Sequence, residues 1–367
     1  MNKKNVRNII YALIIILIIL IVIVVIVGGK SRKREEKVGF IVPGYITEKG
    51  YVGEHYMGIK KACDELGLEL VYEEGVDDNN TGACKLVVDK MVKDGIKVII
   101  LCSYGYQVEM VGHLDEYPDV SFYCSSDMSD GNNFLFYFAR VYQARYLSGI
   151  LAGMMTKNNK IGYVAAMNNC EVNRGINAFT LGVKKVNKDA NVYVYWTGAW
   201  DNGEVEKAHT SELIEKVGVD TITYHQNQTY VLDVAEEHGV YSIAYNIDTG
   251  AEGYSNNVLA SVRSDWSTLY REILQDNFQN GGATKNMFWI GLEKDAVYLS
   301  NQSDLITVDM YNNITTNAAD IKNGIDVFSN LIKDNDGNVV CNLGETMSDQ
   351  TLMKSMDWYV DGVIIYE

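Results

Sequence analysis

NFLFYFARVYQARYLSGILAGMMT, residues 133–156, separates two stretches of the chain that follow the same pattern. Phe134 to Phe138 reads as a short strand. From Ala139 onward the apolar residues Val141, Ala144, Leu147, Leu151, Met154 and Met155 recur at three and four, the helical period. Ala144, Ser148, Gly149, Ala152 and Gly153 keep that helix slim, so it can pack closely under a neighbour. An ordinary core helix and the hinge helix of a two-lobed molecule both fit these residues.

An internal repeat favours two lobes. At an offset of about 123 residues, Lys37-Val38-Gly39-Phe40-Ile41-Val42 returns as Lys160-Ile161-Gly162-Tyr163-Val164-Ala165. Gly58-Ile59-Lys60-Lys61 returns as Gly182-Val183-Lys184-Lys185, and Gly75-Val76-Asp77-Asp78-Asn79 is echoed by Gly198-Ala199-Trp200-Asp201-Asn202. Gly95-Ile96-Lys97-Val98-Ile99 matches Gly218-Val219-Asp220-Thr221-Ile222. Four blocks in one order are not a chance alignment.

Within each copy, apolar runs of strand length alternate with amphipathic helical stretches. The first copy reads as strands near 38–42, 68–72, 98–102 and 120–124, with helices near 53–66, 81–93 and 107–114. The second reads as strands near 161–165, 193–197, 221–224 and 241–244, with helices near 172–186, 204–216 and 231–237. That alternation predicts an α/β fold of two doubly wound parallel sheets. Ligands of such sheets bind beyond the carboxyl ends of the strands, and two facing lobes put those ends around one cleft. Pro43-Gly44 ends the first strand and opens the loop 45–52 toward it.

Ahead of the repeat, Ile9 to Val27 is nineteen residues without a charge, long enough to cross a bilayer as a helix. The run exceeds the usual core of a cleaved signal peptide, and no small-x-small site or lipid-anchor cysteine follows it. It is read as a retained membrane anchor. Basic residues flank it on both sides, so the positive-inside count leaves its orientation open.

Beyond residue 37 the chain carries 24 Lys and Arg against 46 Asp and Glu, a net charge of −22, which disfavours nucleic acid as a partner. The six cysteines include no CxxC, against a zinc or thioredoxin-type centre; buried thiols are expected, with disulfides left open. There is no GxSxG, HExxH, P-loop or GxGxxG, and the five histidines lack metal-ligand spacing. The chain is therefore read as a binding protein with no cofactor and no metal, not an enzyme.

GYVGEHYMGIKKA (50–62), FARVYQARYLSGILAGM (138–154), KIGYVAA (160–166), WTGAWDNGEVEKA (196–208) and MDWYVDGVI (356–364) together resemble the basic membrane protein family of substrate-binding proteins. The resemblance runs from Lys37 to the C-terminus. It implies a periplasmic-binding-protein fold (type I) and an extracytoplasmic domain that captures purine nucleosides or related base-containing molecules for an ABC permease and ATPase. It also implies the domain plan: an anchor and basic linker over 1–36, lobe 1 over 37–137 with a returning segment near 263–295, and lobe 2 over 138–262 with the segment 296–367.

By the same resemblance, Tyr51 and Trp200 occupy the places of two aromatics that stack on a base from opposite lobes, each stack contributing ~1–3 kcal/mol. Thr47 and Glu48 stand near where family members carry an Asp or Asn pair for the base edge. Asn246 and Asp248 match the acids of a Gly-x-Asp-x-Asp strand end that contacts ribose; the amide at 246 loses the charge-assisted bond. Arg263 lies near the place where family members carry a sugar-contacting lysine. The alternative function is a tethered sensor that reports ligand occupancy to a membrane partner.

Overall fold

The computed structural model describes residues 36–366 apart from positions 49, 127, 128, 131, 249, 251, 252 and 302. The stretch Ile9 to Val27 lies outside the described residues. Among the described residues no helix is long and apolar enough to cross a membrane.

Two sheets organise the chain. The first contains β1 (Lys37–Ile41), β2 (Glu69–Glu73), β3 (Val98–Leu101), β4 (Ser121–Cys124), β5 (Phe134–Ala139) and β11 (Met287–Ile290) in the order β11-β5-β4-β3-β1-β2, parallel throughout. The second contains β6 (Lys160–Ala165), β7 (Asn191–Trp196), β8 (Thr221–His225), β9 (Tyr241–Tyr245), β10 (Val258–Ser264), β12 (Val297–Asn301) and β15 (Val363–Ile365) in the order β12-β10-β9-β8-β6-β7-β15. Only the edge strand β12 runs antiparallel there. Helices cover the sheets, so central strands such as β3 are buried along their whole length. The repeat is structural: the strand order β2-β1-β3-β4-β5 of the first sheet recurs as β7-β6-β8-β9-β10 in the second.

The chain changes sheet between β5 and the helix α4 that follows it (Val141–Met155), between β10 and the helix Trp266–Asn280, and between β11 and β12. Residues 133–156 thus divide their work. Arg140 is the crossing point, and α4 is a buried core helix of the second lobe rather than the hinge itself. The small residues have the expected use: a Cβ on Gly149 would come within 1.9 Å of the Phe179 carbonyl oxygen on the neighbouring helix Cys170–Val186. Arg140 binds the crossings together. Its Nε donates to the Trp289 carbonyl at 2.9 Å and its Nη2 to Asp349 at 2.6 Å, while the guanidinium lies 4.2 Å from the Trp289 ring.

The C-terminal MDWYV is a strap. Asn177, fully buried in the helix Cys170–Val186, donates to the Trp358 carbonyl at 2.9 Å and accepts from the Val360 amide at 3.0 Å. Asn173 donates to the Met356 carbonyl at 2.8 Å, and β15 then extends the second sheet beside β7. Cys63, Cys84, Cys102, Cys124 and Cys341 are buried free thiols and Cys170 is half-buried.

Candidate functional site

The strand ends of both sheets meet in one cleft, and its first-lobe wall begins at Gly50. The backbone there has φ 88°, and a Cβ would lie 2.5 Å from the Asn227 carbonyl oxygen of the opposite lobe, so only glycine permits the approach. Tyr51 opens the next helix (Tyr51–Leu66). Its hydroxyl hydrogen-bonds the Ser125 hydroxyl at 2.7 Å, and its ring lies 4.2 Å from His55 and 6.5 Å from Trp266. Behind it His55 stacks on Trp266 at 3.6 Å and bonds the Tyr270 hydroxyl through Nδ1 at 2.6 Å. Burial drives the His55 pKa well below its ordinary value, so the ring is neutral. Tyr51 therefore stands on a rigid aromatic base.

The second-lobe wall carries Trp200 in the loop after β7. Its carbonyl accepts from the Asn227 amide at 2.9 Å, and its ring meets His225 edge-on at 5.7 Å. With its amide oriented to satisfy both ends, Gln226 donates to the Ala199 and Trp200 carbonyls at 3.0 and 3.2 Å. Because Gly50 abuts Asn227 and Asn227 holds Trp200, the two aromatics flank the same closure contact. Asn246, at the end of β9, is buried with φ 53°, a left-handed conformation that asparagine tolerates, and its backbone N–H donates to the Val262 carbonyl at 2.9 Å.

Arg263 and Asp248 come together, in an ion-pair group that spans the lobes. Arg263 Nη2 contacts both Glu54 oxygens, at 3.0 and 3.2 Å, and Nη1 lies 3.4 Å from Asp248. Burial, together with the charges of Asp248 and Asp265, leaves the Glu54 pKa raised although Arg263 pulls it down. Glu48 folds back into its own turn, accepting from the Tyr45 amide at 2.8 Å, and Thr47 is exposed beside it. The structure thus places Tyr51 and Trp200 on either side of the Gly50–Asn227 contact, buries Asn246 at the end of β9, engages Arg263 and Asp248 with Glu54, and leaves Thr47 and Glu48 in the turn before Gly50.

The family described as ABC transporter substrate-binding protein, PnrA-like, matches residues 35–330. The chain belongs to this family. It is accordingly the ligand-binding component of an ABC transporter and not an enzyme. A purine-binding protein of Brucella abortus (strain 2308) is 29% identical to this PnrA-like chain over 92% of it and 95% of the relative. A protein of Haloferax volcanii, named as a candidate ABC transporter glucose-binding protein, is 28% identical over 92% and 82% respectively. Among solved structures, the transcriptional activator of the comK gene from Bacillus halodurans shares the fold, with a TM-score of 0.67 and 19% identity over 78% of this chain and 98% of that one.

Several residues of this PnrA-like cleft carried no sequence signal. Ser125 and Trp266 reach Tyr51, Tyr270 reaches His55 and Glu54 reaches Arg263 only through tertiary contacts more than seventy residues apart. His55 and His225, two of the five histidines without metal-ligand spacing, support Tyr51 and Trp200 respectively.

Proposed function

We propose that this chain is a membrane-tethered, extracytoplasmic solute-binding protein that captures a purine nucleoside or related base-containing molecule for an ABC importer. One observation carries the reading. Tyr51, opening the helix after β1, and Trp200, in the loop after β7, stand on opposite lobes, each braced by a neutral histidine and each beside the Gly50–Asn227 contact. A flat aromatic solute enclosed there gains a stacking face from each lobe, so its binding favours closure. The name of the Brucella relative as purine-binding supports a base as the ligand. Asn246 in place of an acid supports a site that holds the base more firmly than the ribose diol. The uncharged stretch Ile9 to Val27 supports the tether, with the −22 domain outside.

Mass spectrometry of small molecules released from the purified chain, followed by calorimetry with the free base and its nucleoside, tests this reading. Recovery of a sugar alone, with no affinity for purines, would refute it. A second reading, a tethered regulator responding to the same ligand, is favoured by the likeness to a transcriptional activator. Occupancy-dependent association with a signalling partner instead of a permease would establish it.

A further inference from the structure

A second polar cavity lies behind the Trp200 wall, at the hinge. It encloses about 10 Å³, room for one water-sized group. Arg145, Glu171, Arg174, Gly175 and His225 border it. His225 belongs to both places, since its ring also packs against Trp200 at 5.7 Å and Tyr245 at 4.9 Å. Glu171, Arg174 and Gly175 lie in the first two turns of the helix Cys170–Val186, whose amino-terminal dipole adds to the positive field.

The donors here outnumber the acceptors. Arg145 is fully buried; Nη1 donates to the Tyr224 carbonyl at 2.8 Å, but Nε and Nη2 have no hydrogen-bond partner among the described residues. The His225 Nδ1 and the Tyr163 hydroxyl beside it are likewise unpartnered. Arg174 donates to the Leu352 carbonyl at 2.7 Å and lies 4.9 Å from the Trp289 ring. Among the described residues neither guanidinium has a carboxylate within 4.0 Å, unlike Arg140 with Asp349. Glu171 is the one acid at the cavity, and its oxygen is 3.7 Å from His225 Nε2 with the side chain 35% exposed. Burial, then Arg145 and Arg174, push the His225 pKa well down, so histidine adds no positive charge. The Arg145 guanidinium also lies 4.2 Å over the Tyr245 ring, which eases its burial, but two guanidinium groups facing one half-exposed carboxylate still leave an excess of buried positive charge that an anion would balance.

We propose that this hinge cavity is an anion subsite, taking one oxygen of a carboxylate or phosphate group. The group is either a substituent of the ligand held in the cleft, which rests on the base-binding reading above, or a free anion, which does not. Such an oxygen would accept from Arg145 Nε and Nη2 and from the Tyr163 hydroxyl, and the charge-assisted bonds make the site selective for anions over water.

Calorimetry on the full-length chain in detergent, at constant ionic strength set by a bulky sulfonate salt, tests the proposal. The probes are adenosine, adenosine 5′-monophosphate, inorganic phosphate and acetate. Arg174→Gln removes a charge. Gly175→Ala fills the cavity instead: its Cβ would lie 3.4 Å from the Tyr163 hydroxyl and 3.6 Å from His225 Nδ1, ordinary contacts that leave the helix intact. A monophosphate that binds at least about 10-fold more tightly than the nucleoside, an advantage lost in both variants, establishes a ligand-borne anion. Saturable binding of phosphate or acetate alone, lost in both variants, establishes a free anion. Adenosine binding with no anion effect, or an anion effect that survives both substitutions, overturns the subsite and leaves the base reading standing. Phosphate binding with no affinity for any base does the reverse.

Discussion

Arg263 and Glu54 hold the lobes together unequally, and the asymmetry can be measured. Their side chains are only 16% and 27% exposed, and Nη2 reaches both carboxylate oxygens, so the contact is more than a solvated surface pair. Yet burial raises the Glu54 pKa despite Arg263, which means the ionised carboxylate is less favourable in the closed cleft than in water. Removing the acid and removing the base therefore have different consequences. Arg263→Met strands a part-buried carboxylate and should weaken ligand binding by about 1.5–3 kcal/mol, roughly 10- to 150-fold. Glu54→Gln keeps a neutral acceptor for Arg263, which retains Asp248 at 3.4 Å, and should change affinity by less than about 3-fold. The pH dependence has a definite sign. A carboxyl whose pKa is raised on closure stabilises the closed form below its free value and loses that contribution as pH rises through the raised one. The Arg263→Met defect should accordingly be full at pH 8 and shrink toward pH 5, where Glu54 is increasingly protonated. Calorimetry at both pH values with the released ligand, and small-angle scattering for closure, provide the readout. Equal losses from the two substitutions, or a defect that grows in acid, would refute the argument.

Three further outcomes are expected. Tyr51→Ala and Trp200→Ala should each weaken base binding by about 1–3 kcal/mol with the fold retained, while Asn246→Asp should strengthen nucleoside binding without altering the free base; calorimetry separates these, and unchanged affinity in both aromatic variants would displace the ligand from this cleft. Glu206 is fully buried, one oxygen accepting from the Asn202 amide at 2.9 Å and the other unpartnered, and burial pushes its pKa up to about 7. The folded state thus favours the protonated acid, so stability falls as pH rises from 4.5 to 7, and Glu206→Gln should remove that decline, gaining up to about 3 kcal/mol at neutral pH in urea titrations. Asn177→Ala should cost roughly 2–4 kcal/mol in the same assay, because the Trp358 carbonyl and the Val360 amide lose a buried partner together; a loss below 1 kcal/mol would show that water replaces the asparagine.

The fold was legible in the sequence because its signals are local and periodic. Gly39 in β1 and Gly162 in β6 stand at equivalent points of two sheets, and a Cβ at either would press on its neighbouring helix or strand, at 2.7 Å from Met91 Sδ and 2.9 Å from Ile222. A constraint of that kind is written twice in the chain, and an offset search finds it. The candidate site residues were readable in the sequence only as single positions after a strand, as with Tyr51, Trp200 and Asn246. Arg263 shows where that reasoning stops. Its position on β10 was readable, but its partner lies 209 residues earlier on the other lobe, and no pattern in the chain joins Glu54 to it. MDWYV carried part of the family resemblance, and its place in the fold is structural: its backbone is held by Asn173 and Asn177 as a strap across a helix. The hinge cavity was hidden for the same reason as Arg263. Arg145 and Arg174 read as ordinary helix residues until the fold buries both beside one cavity, and only the count of acids around them reveals the unbalanced charge.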